Sequence, residues 1–349
     1  MTAVEARDSR PFRLCLAPMM DRTDRYFRYF LRCISPRVRL YSEMVTARAI
    51  IHGDRDRLLS FDAEEHPVAL QLGGSDPDEL ALAARIGVEY GYDEVNLNCG
   101  CPSDRVQSGR FGACLLAEPA LVADCVAAMR AAVAVPVTVK TRIALDRKSP
   151  RELLWPFVDA VAGAGADTFI IHARSAWLDG LSPKENREVP PLDYDIVAAL
   201  TRDFPQLTIV LNGGIKSTDA MARHLDLFDG VMLGRAAYDD PYLFARFDAA
   251  EGVADVPSRA AVMARFVPFA CAQVAAGVPP RSLFRHVLGL YQSRPGARGF
   301  RRRLTEALAG DLKAGVASSA ELAARSRDVV SEAVAEAEAC AASRRHAAA

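Results

Sequence analysis

Eight short apolar runs recur about every 25 to 40 residues along the chain: Leu14–Ala17, Val38–Met44, Val68–Leu72, Val95–Leu97, Val137–Val139, Phe169–Ile171, Ile209–Leu211 and Val231–Leu233. Runs of this length read as strands. Most are separated by Ala/Leu/Val-rich amphipathic stretches such as Pro77–Tyr90, Pro119–Ala132 and Pro150–Gly163, which read as helices opened by a proline in the first turn. Eight strand-helix units in about 230 residues are the arithmetic of an α/β TIM (β/α)8 barrel. A doubly wound open sheet would more often use about five to seven strands and a glycine-rich first turn, and the sequence has no G-x-G-x-x-G.

The alternation stops near Arg246, and the segment Glu251–Pro257 leads into helical spacing without strand candidates. Three regions are therefore expected: the barrel at 1–250, a smaller C-terminal all-helical domain at 251–325, and an Ala-rich tail at 326–349 with little to bury. The balance of 43 Lys+Arg against 44 Asp+Glu gives a net charge of -1, which excludes a globally basic nucleic-acid coat but not a local patch. A mean hydropathy of +0.04 and the absence of an apolar run near the length of a membrane span point away from a membrane protein. The start has no apolar stretch behind its positive charges, so a cytoplasmic location is expected, with a monomer as the default state. The eight cysteines include no Cys-x-x-Cys pair and no zinc-like spacing with histidine, so reduced thiols and no metal are expected.

A TIM barrel carries its active site at the C-terminal ends of its strands, so polar residues should gather where each apolar run stops. They do so at Pro18-Met19-Met20-Asp21, Glu43, Gln71, Asn96 and Asn98, Lys140 and Arg142, His172 and Arg174, Asn212-Gly213-Gly214, and Gly234-Arg235. The turns after runs seven and eight form the usual phosphate corner of this fold, where backbone N–H groups cradle an anion and Arg235 adds charge. Lys140 and His172 then stand beside the ring system attached to that phosphate. A cation and an imidazole suit a flavin, whose reduced form is negative near its pyrimidine edge, and the Gln71 amide can bond that edge. After run four, Cys101 sits on a tight turn. It could serve as a nucleophile, for which the sequence shows no base, or as a general acid, since thiols carry their proton at pH 7. Cys99 is the rival thiol, expected at the packed end of the strand with Cys101 beyond it in the loop.

Pro18-Met19-Met20-Asp21, Asn96-Leu97-Asn98-Cys99-Gly100-Cys101-Pro102-Ser103, His172-Ala173-Arg174, Asn212-Gly213-Gly214-Ile215 and Gly234-Arg235 together resemble the motifs of the tRNA-dihydrouridine synthases. The string Ala176-Trp177-Leu178-Asp179-Gly180-Leu181-Ser182-Pro183-Lys184-Glu185-Asn186-Arg187 is similar to the A subfamily, which reduces uridines at position 20 and its neighbour in the tRNA D-loop. The resemblance implies FMN held by Pro18, Met19, Met20, Gln71, Lys140, His172, Asn212, Gly213, Gly214, Gly234 and Arg235. It also implies Cys101 as proton donor, NADPH as reductant, and Asn98 in contact with the target nucleotide.

The second region supports an RNA partner. Residues 281 to 303 hold seven arginines, Arg298, Arg301 and Arg302 among them, and no acid. These would bind phosphates, with Lys184 and Arg187 of the loop after run six extending the patch. Tyr291 and Phe300, if exposed, could stack on an unpaired base. Two rival expectations differ in substrate: a flavin barrel acting on a free pyrimidine, which leaves the arginines unexplained, and a flavin-containing RNA-binding module without turnover.

Overall fold

Each apolar run becomes a strand with one face toward a barrel interior and the other toward helices, as near-continuous apolar sequence requires of a parallel sheet. The computed structural model describes residues 11–309 and 318–346. The strands are β1 (Leu14–Leu16), β2 (Leu40–Thr46), β3 (Val68–Gly73), β4 (Glu94–Cys99), β5 (Val137–Arg142), β6 (Thr168–His172), β7 (Thr208–Asn212) and β8 (Gly230–Leu233). Their hydrogen-bonded order is β1-β8-β7-β6-β5-β4-β3-β2, parallel throughout. A parallel bridge between Cys15 and Arg39 joins the two ends, with Arg39 N–H donating to Leu14 at 2.8 Å and Leu16 N–H to Arg39 at 2.9 Å. The TIM barrel is thereby closed.

Strand register sets what the interior contains. Cys15, Tyr41, Ala69, Ile170, Val210 and Met232 meet in one apolar cluster inside the ring. Side chains alternate along a strand, so the residue two positions on lies on the same face one layer nearer the C-terminal end. That step runs from Ala69 to Gln71, from Ile170 to His172 and from Val210 to Asn212, and the inner row of β5 continues from Thr138 to Lys140 and Arg142. The interior therefore changes from apolar to polar toward the mouth, and the strands extend past the apolar runs to include Asn98, Arg142, His172 and Asn212. A register shift in β2 between Tyr41 and Met44 turns the Ser42 hydroxyl to accept the Gln71 N–H at 2.9 Å.

The expected helices form at Pro77–Glu89, Pro119–Ala132 and Pro150–Gly163, each with its proline in the first turn. Asp76 caps the first by accepting the Glu79 N–H.

A second unit is helical. The composition change suggests a division at 250/251; contacts instead group residues 24–37 with those described from 235 onward. The helix Arg25–Ile34 packs on the helix Arg259–Ala275 through Phe30 and Phe266, 5.1 Å apart, and Tyr29 stacked on Phe269 at 3.7 Å. Asp24 caps the first of these and also accepts Nη2 of Arg285 at 2.8 Å and Nε2 of His286 at 3.0 Å.

The composition of 326–349 suggests a tail, but residues 326–346 belong to the helix Ser319–His346, and 347–349 lie outside the described residues. The small residues of this helix are the reason. Val330, Ala333, Ala337 and Ala341 are buried along one stripe, so neighbouring backbone comes close enough that a Cβ built on Gly296 would lie 3.0 Å from the Ala337 Cα. Among the described residues no helix is long and apolar enough to cross a membrane.

Candidate active site at the barrel mouth

The inner rows of β5, β6 and β7 bring Lys140, Arg142, His172 and Asn212 together. Lys140 Nζ donates to Asn212 Oδ1 at 3.0 Å, and Asn212 Nδ2 donates to the Met232 carbonyl at 2.7 Å. Burial, reinforced by Arg142, pushes the Lys140 ammonium down to about 7. Burial also pushes His172 well below the usual imidazole range, and Arg142, Lys140, Arg174 and Arg187 add to the shift, so its ring is neutral at pH 7. This set of charges suits an anionic, phosphorylated ligand.

The turn after β7 adds backbone to the mouth. Gly213 and Gly214 have φ of +113° and +73°, and a Cβ on them would lie 2.6 Å from His172 Cδ2 and from the Tyr194 hydroxyl respectively. The Tyr194 hydroxyl donates to the Gly213 carbonyl at 2.9 Å, which fixes the turn. Pro18, Met19 and Met20 follow β1; the Met19 N–H bonds Thr23 Oγ1 at 2.9 Å, and Met20 is 57% exposed. Gly234 follows β8, and Arg235 opens the helix Arg235–Asp239.

The two thiols are separated by the end of β4. Cys99 lies on the outer face with Val95 and Leu97, fully buried, and Cys125 and Cys114 lie near enough to act on it electrostatically. Cys101 lies beyond the strand, half-buried, close enough to Lys140 and Arg142 to interact with both charges. Its N–H donates to Asn98 Oδ1 at 3.0 Å, and its carbonyl accepts the Ala113 N–H at 2.9 Å. A Cβ on Gly112 would lie 2.6 Å from that carbonyl, so the loop closes on Cys101 only with glycine there.

Asn98 and Gln71 reach the mouth largely committed to one another. Asn98 Oδ1 accepts the N–H groups of Gly100 and Cys101, and its Nδ2 donates to Gln71 Oε1 at 2.8 Å. Gln71 Nε2 donates to Asn96 Oδ1 at 2.8 Å, leaving Gln71 one N–H and one lone pair for a ligand.

The sequence marks Arg142 only as a polar strand end. Its guanidinium donates to the carbonyls of Gly100 at 2.9 Å, Ser175 at 3.0 Å and Asn186 at 2.9 Å, tying the loop after β4 to the loop after β6. Asn186, fully buried, in turn holds Trp177 by both amide ends at 2.8 Å. Lys184 and Arg187, on either side of it, are exposed.

In the helical unit, Arg298, Arg301 and Arg302 are exposed along one face of the helix Ala297–Ala309, at the spacing that brings side chains together. Arg303 is bound to Glu336 at 2.6 Å and to Glu332. The expectation that Tyr291 and Phe300 could stack on a base is corrected. Both are 1% exposed and pack on each other with ring centroids 4.7 Å apart, and the Tyr291 hydroxyl donates to Glu338 at 2.8 Å. They sit on the inner side of a helix whose arginines face out.

Residues 15–325 match the family profile described as "Dihydrouridine synthase (Dus)". The chain is also similar to curated proteins named tRNA-dihydrouridine(20/20a) synthase. The one from Xanthomonas campestris pv. campestris is 57% identical over 294 residues, covering 84% of this chain and 88% of the relative. The one from Synechocystis sp. is 54% identical over 308 residues, covering 88% and 92%. The one from Vibrio cholerae serotype O1 is 54% identical over 297 residues, covering 84% and 90%.

Proposed function

The chain belongs to the dihydrouridine synthase family, and from that premise we propose that it reduces uridine to 5,6-dihydrouridine in the D-loop of tRNA, at position 20, 20a or both. The observation that carries this reading is a half-buried thiol, Cys101, within electrostatic reach of the half-buried Lys140 and the buried Arg142 at the mouth of one barrel.

FMN fits the residues at the mouth, because the half-buried Lys140 amine, pushed down to about 7, gains its full charge beside an anion, and the positive-φ turn at Gly213-Gly214 has no room for side chains. Lys140, His172, Asn212, Gly213 and Gly214 would hold it, with Pro18, Met19, Met20, Gln71, Gly234 and Arg235 as further contacts. A flavin held there and reduced by NADPH would supply the hydride that carbon 6 of the uracil needs.

The chain's own residues do the rest. The uridine must leave the D-loop stack to enter a barrel mouth. Cys101 gives its proton to carbon 5, where negative charge develops as carbon 6 is reduced. Asn98 holds the Cys101 turn and lends its edge to the target nucleotide. Neutral His172 offers a hydrogen bond without adding another charge. Arg298, Arg301 and Arg302 bind tRNA phosphates, and Lys184 and Arg187 do so from the loop after β6, with the salt dependence of counterion release. A cytoplasmic location goes with this substrate.

Purified protein, NADPH and an unmodified tRNA transcript test the proposal. The expected result is a yellow protein and a gain of two mass units at a D-loop uridine. A colourless protein that leaves the transcript unchanged overturns it, and equal activity on free uridine favours a free-pyrimidine enzyme.

A further inference from the structure

We propose that Glu94, at the opposite end of the barrel interior from the mouth, is a positioning residue for Cys101, acting through a one-way chain of hydrogen bonds.

The chain can be followed bond by bond. The Cys101 N–H donates to Asn98 Oδ1 at 3.0 Å, and Asn98 Nδ2 to Gln71 Oε1 at 2.8 Å. Gln71 Nε2 donates to Asn96 Oδ1 at 2.8 Å, Asn96 Nδ2 to Thr138 Oγ1 at 2.7 Å, and the Thr138 hydroxyl to Glu94 Oε1 at 2.5 Å. Every side chain in it is buried.

Its direction is fixed at both ends. Backbone N–H groups only donate, so Asn98 must turn its oxygen toward Gly100 and Cys101. A carboxylate only accepts, so Thr138 must donate toward Glu94. Each amide between has one oxygen and one NH2, and both ends demand the same orientation. Arg39 keeps the far end ionised: its Nη1 lies 3.0 Å from Glu94 Oε2, and a neutral Glu94 would leave a buried guanidinium without its counterion. The Tyr41 hydroxyl donates to the same carboxylate at 2.9 Å.

The charge at one end of the barrel therefore demands the same orientation of Asn98 that the backbone demands at the other, and the whole chain is satisfied only when both agree. In Glu94→Gln the side chain keeps its shape. Arg39 can only donate and takes the new oxygen, which leaves the NH2 facing Thr138. Thr138 must then either accept from both neighbours, which leaves its own proton without its present partner, or donate to Asn96, in which case every amide turns over and Asn98 presents NH2 to the N–H groups of Gly100 and Cys101. That contact is repulsive.

The catalytic consequence rests on the proposed function; the positioning itself does not. The test measures amide hydrogen exchange at Gly100 and Cys101, with kcat and KM for tRNA, in Glu94→Gln, Thr138→Val and Thr138→Ser. Thr138→Val cuts the chain and leaves the Arg39–Glu94 pair in place, so it remains informative if Glu94→Gln fails to fold. Thr138→Ser keeps the relaying hydroxyl. The expected result is that Glu94→Gln and Thr138→Val speed exchange at both amides by about tenfold or more and lower kcat by a similar factor, as loss of a buried hydrogen bond implies. KM should stay within about threefold, and Thr138→Ser should resemble the wild type.

Wild-type exchange at Gly100 and Cys101 in Thr138→Val overturns the inference, as does an equal effect in Thr138→Ser. If the variants speed exchange while the wild-type protein leaves tRNA unreduced, the positioning stands and the functional reading falls.

Discussion

Cys99 and Cys101 are two residues apart yet lie in different layers of the barrel: Cys99 is fully buried on the outer face of β4, and Cys101 stands half-buried at the mouth. Burial pushes the Cys99 thiol well above the usual range, so it has no ready proton chemistry. Replacing Cys101 by Ala should lower dihydrouridine formation by about 10²-fold or more, as expected for loss of a general acid. Flavin absorbance of the purified variant should be unchanged. Cys99→Ala should keep turnover within about threefold and lower stability by ~1 kcal/mol, since little volume is lost. Single-turnover oxidation of the reduced protein by tRNA, beside a thermal melt, separates the two. A Cys101→Ala protein as active as the wild type would remove the thiol from the mechanism.

On the proposed reading, Lys140 should make flavin binding depend on pH in a definite direction. Its ammonium is pushed down to about 7 by burial and by the like charge of Arg142, while Asn212 Oδ1 accepts from it. A bound phosphate or negative ring favours the charged form and raises that value again. Below pH 7 the free protein already carries the charge, so binding takes up no proton there. Above it, each binding event takes up a proton at Lys140, and affinity should fall with rising pH by up to about tenfold per unit. Fluorescence titration of FMN at pH 6 to 9 should show this slope. Lys140→Met should bind more weakly at pH 6 and lose the slope above 7; an unchanged slope would assign it to another group.

Much of this site is readable from the sequence, because a TIM barrel puts functional side chains where apolar runs stop, and Gln71, Lys140, His172 and Asn212 each follow that rule. Glu94 escapes the rule because it stands at the beginning of its strand. The signal that could have found it is the alternation Glu94-Val95-Asn96-Leu97-Asn98, which puts three polar residues on one strand face. The work of Arg142 is hidden for a different reason: its partners are backbone carbonyls, which no sequence pattern marks. Tyr291, Phe300 and the Ala-rich helix Ser319–His346 show where composition misleads. Basic neighbours do not expose an aromatic ring, and a stripe of alanines buries through close approach instead of bulk.

Tyr291 and Phe300 should accordingly behave as core residues. Phe300→Ala removes a ring that is 1% exposed and should cost about 3–5 kcal/mol. Tyr291→Phe loses only the bond to Glu338 and should cost about 1 kcal/mol. Urea unfolding gives both values. For Tyr291→Phe, tRNA affinity at fixed salt should equal that of the wild type. A marked loss of RNA binding without loss of stability would return the ring to the interface.

The arginines of the helix Ala297–Ala309 divide by what already holds them. Arg303 is bound to Glu332 and Glu336, so its charge is largely answered within the helical unit. Arg301 bonds the neutral Gln292 at 2.8 Å, and Arg302 faces Glu306 at the loose distance of 4.0 Å with both side chains exposed. Surface pairs of that kind contribute roughly 0–1 kcal/mol and leave the cation free to exchange partners. Each phosphate neutralised releases about one counterion, so the slope of log affinity against log salt counts such contacts. The double variant Arg301→Ala/Arg302→Ala should reduce that slope by about 2 and weaken tRNA binding across sequences, whereas Arg303→Ala should leave it nearly unchanged. Filter binding at several salt concentrations measures the slope directly. An equal slope in the double variant would move the RNA contact off this face, and a large effect of Arg303→Ala alone would mean that tRNA displaces the two glutamates.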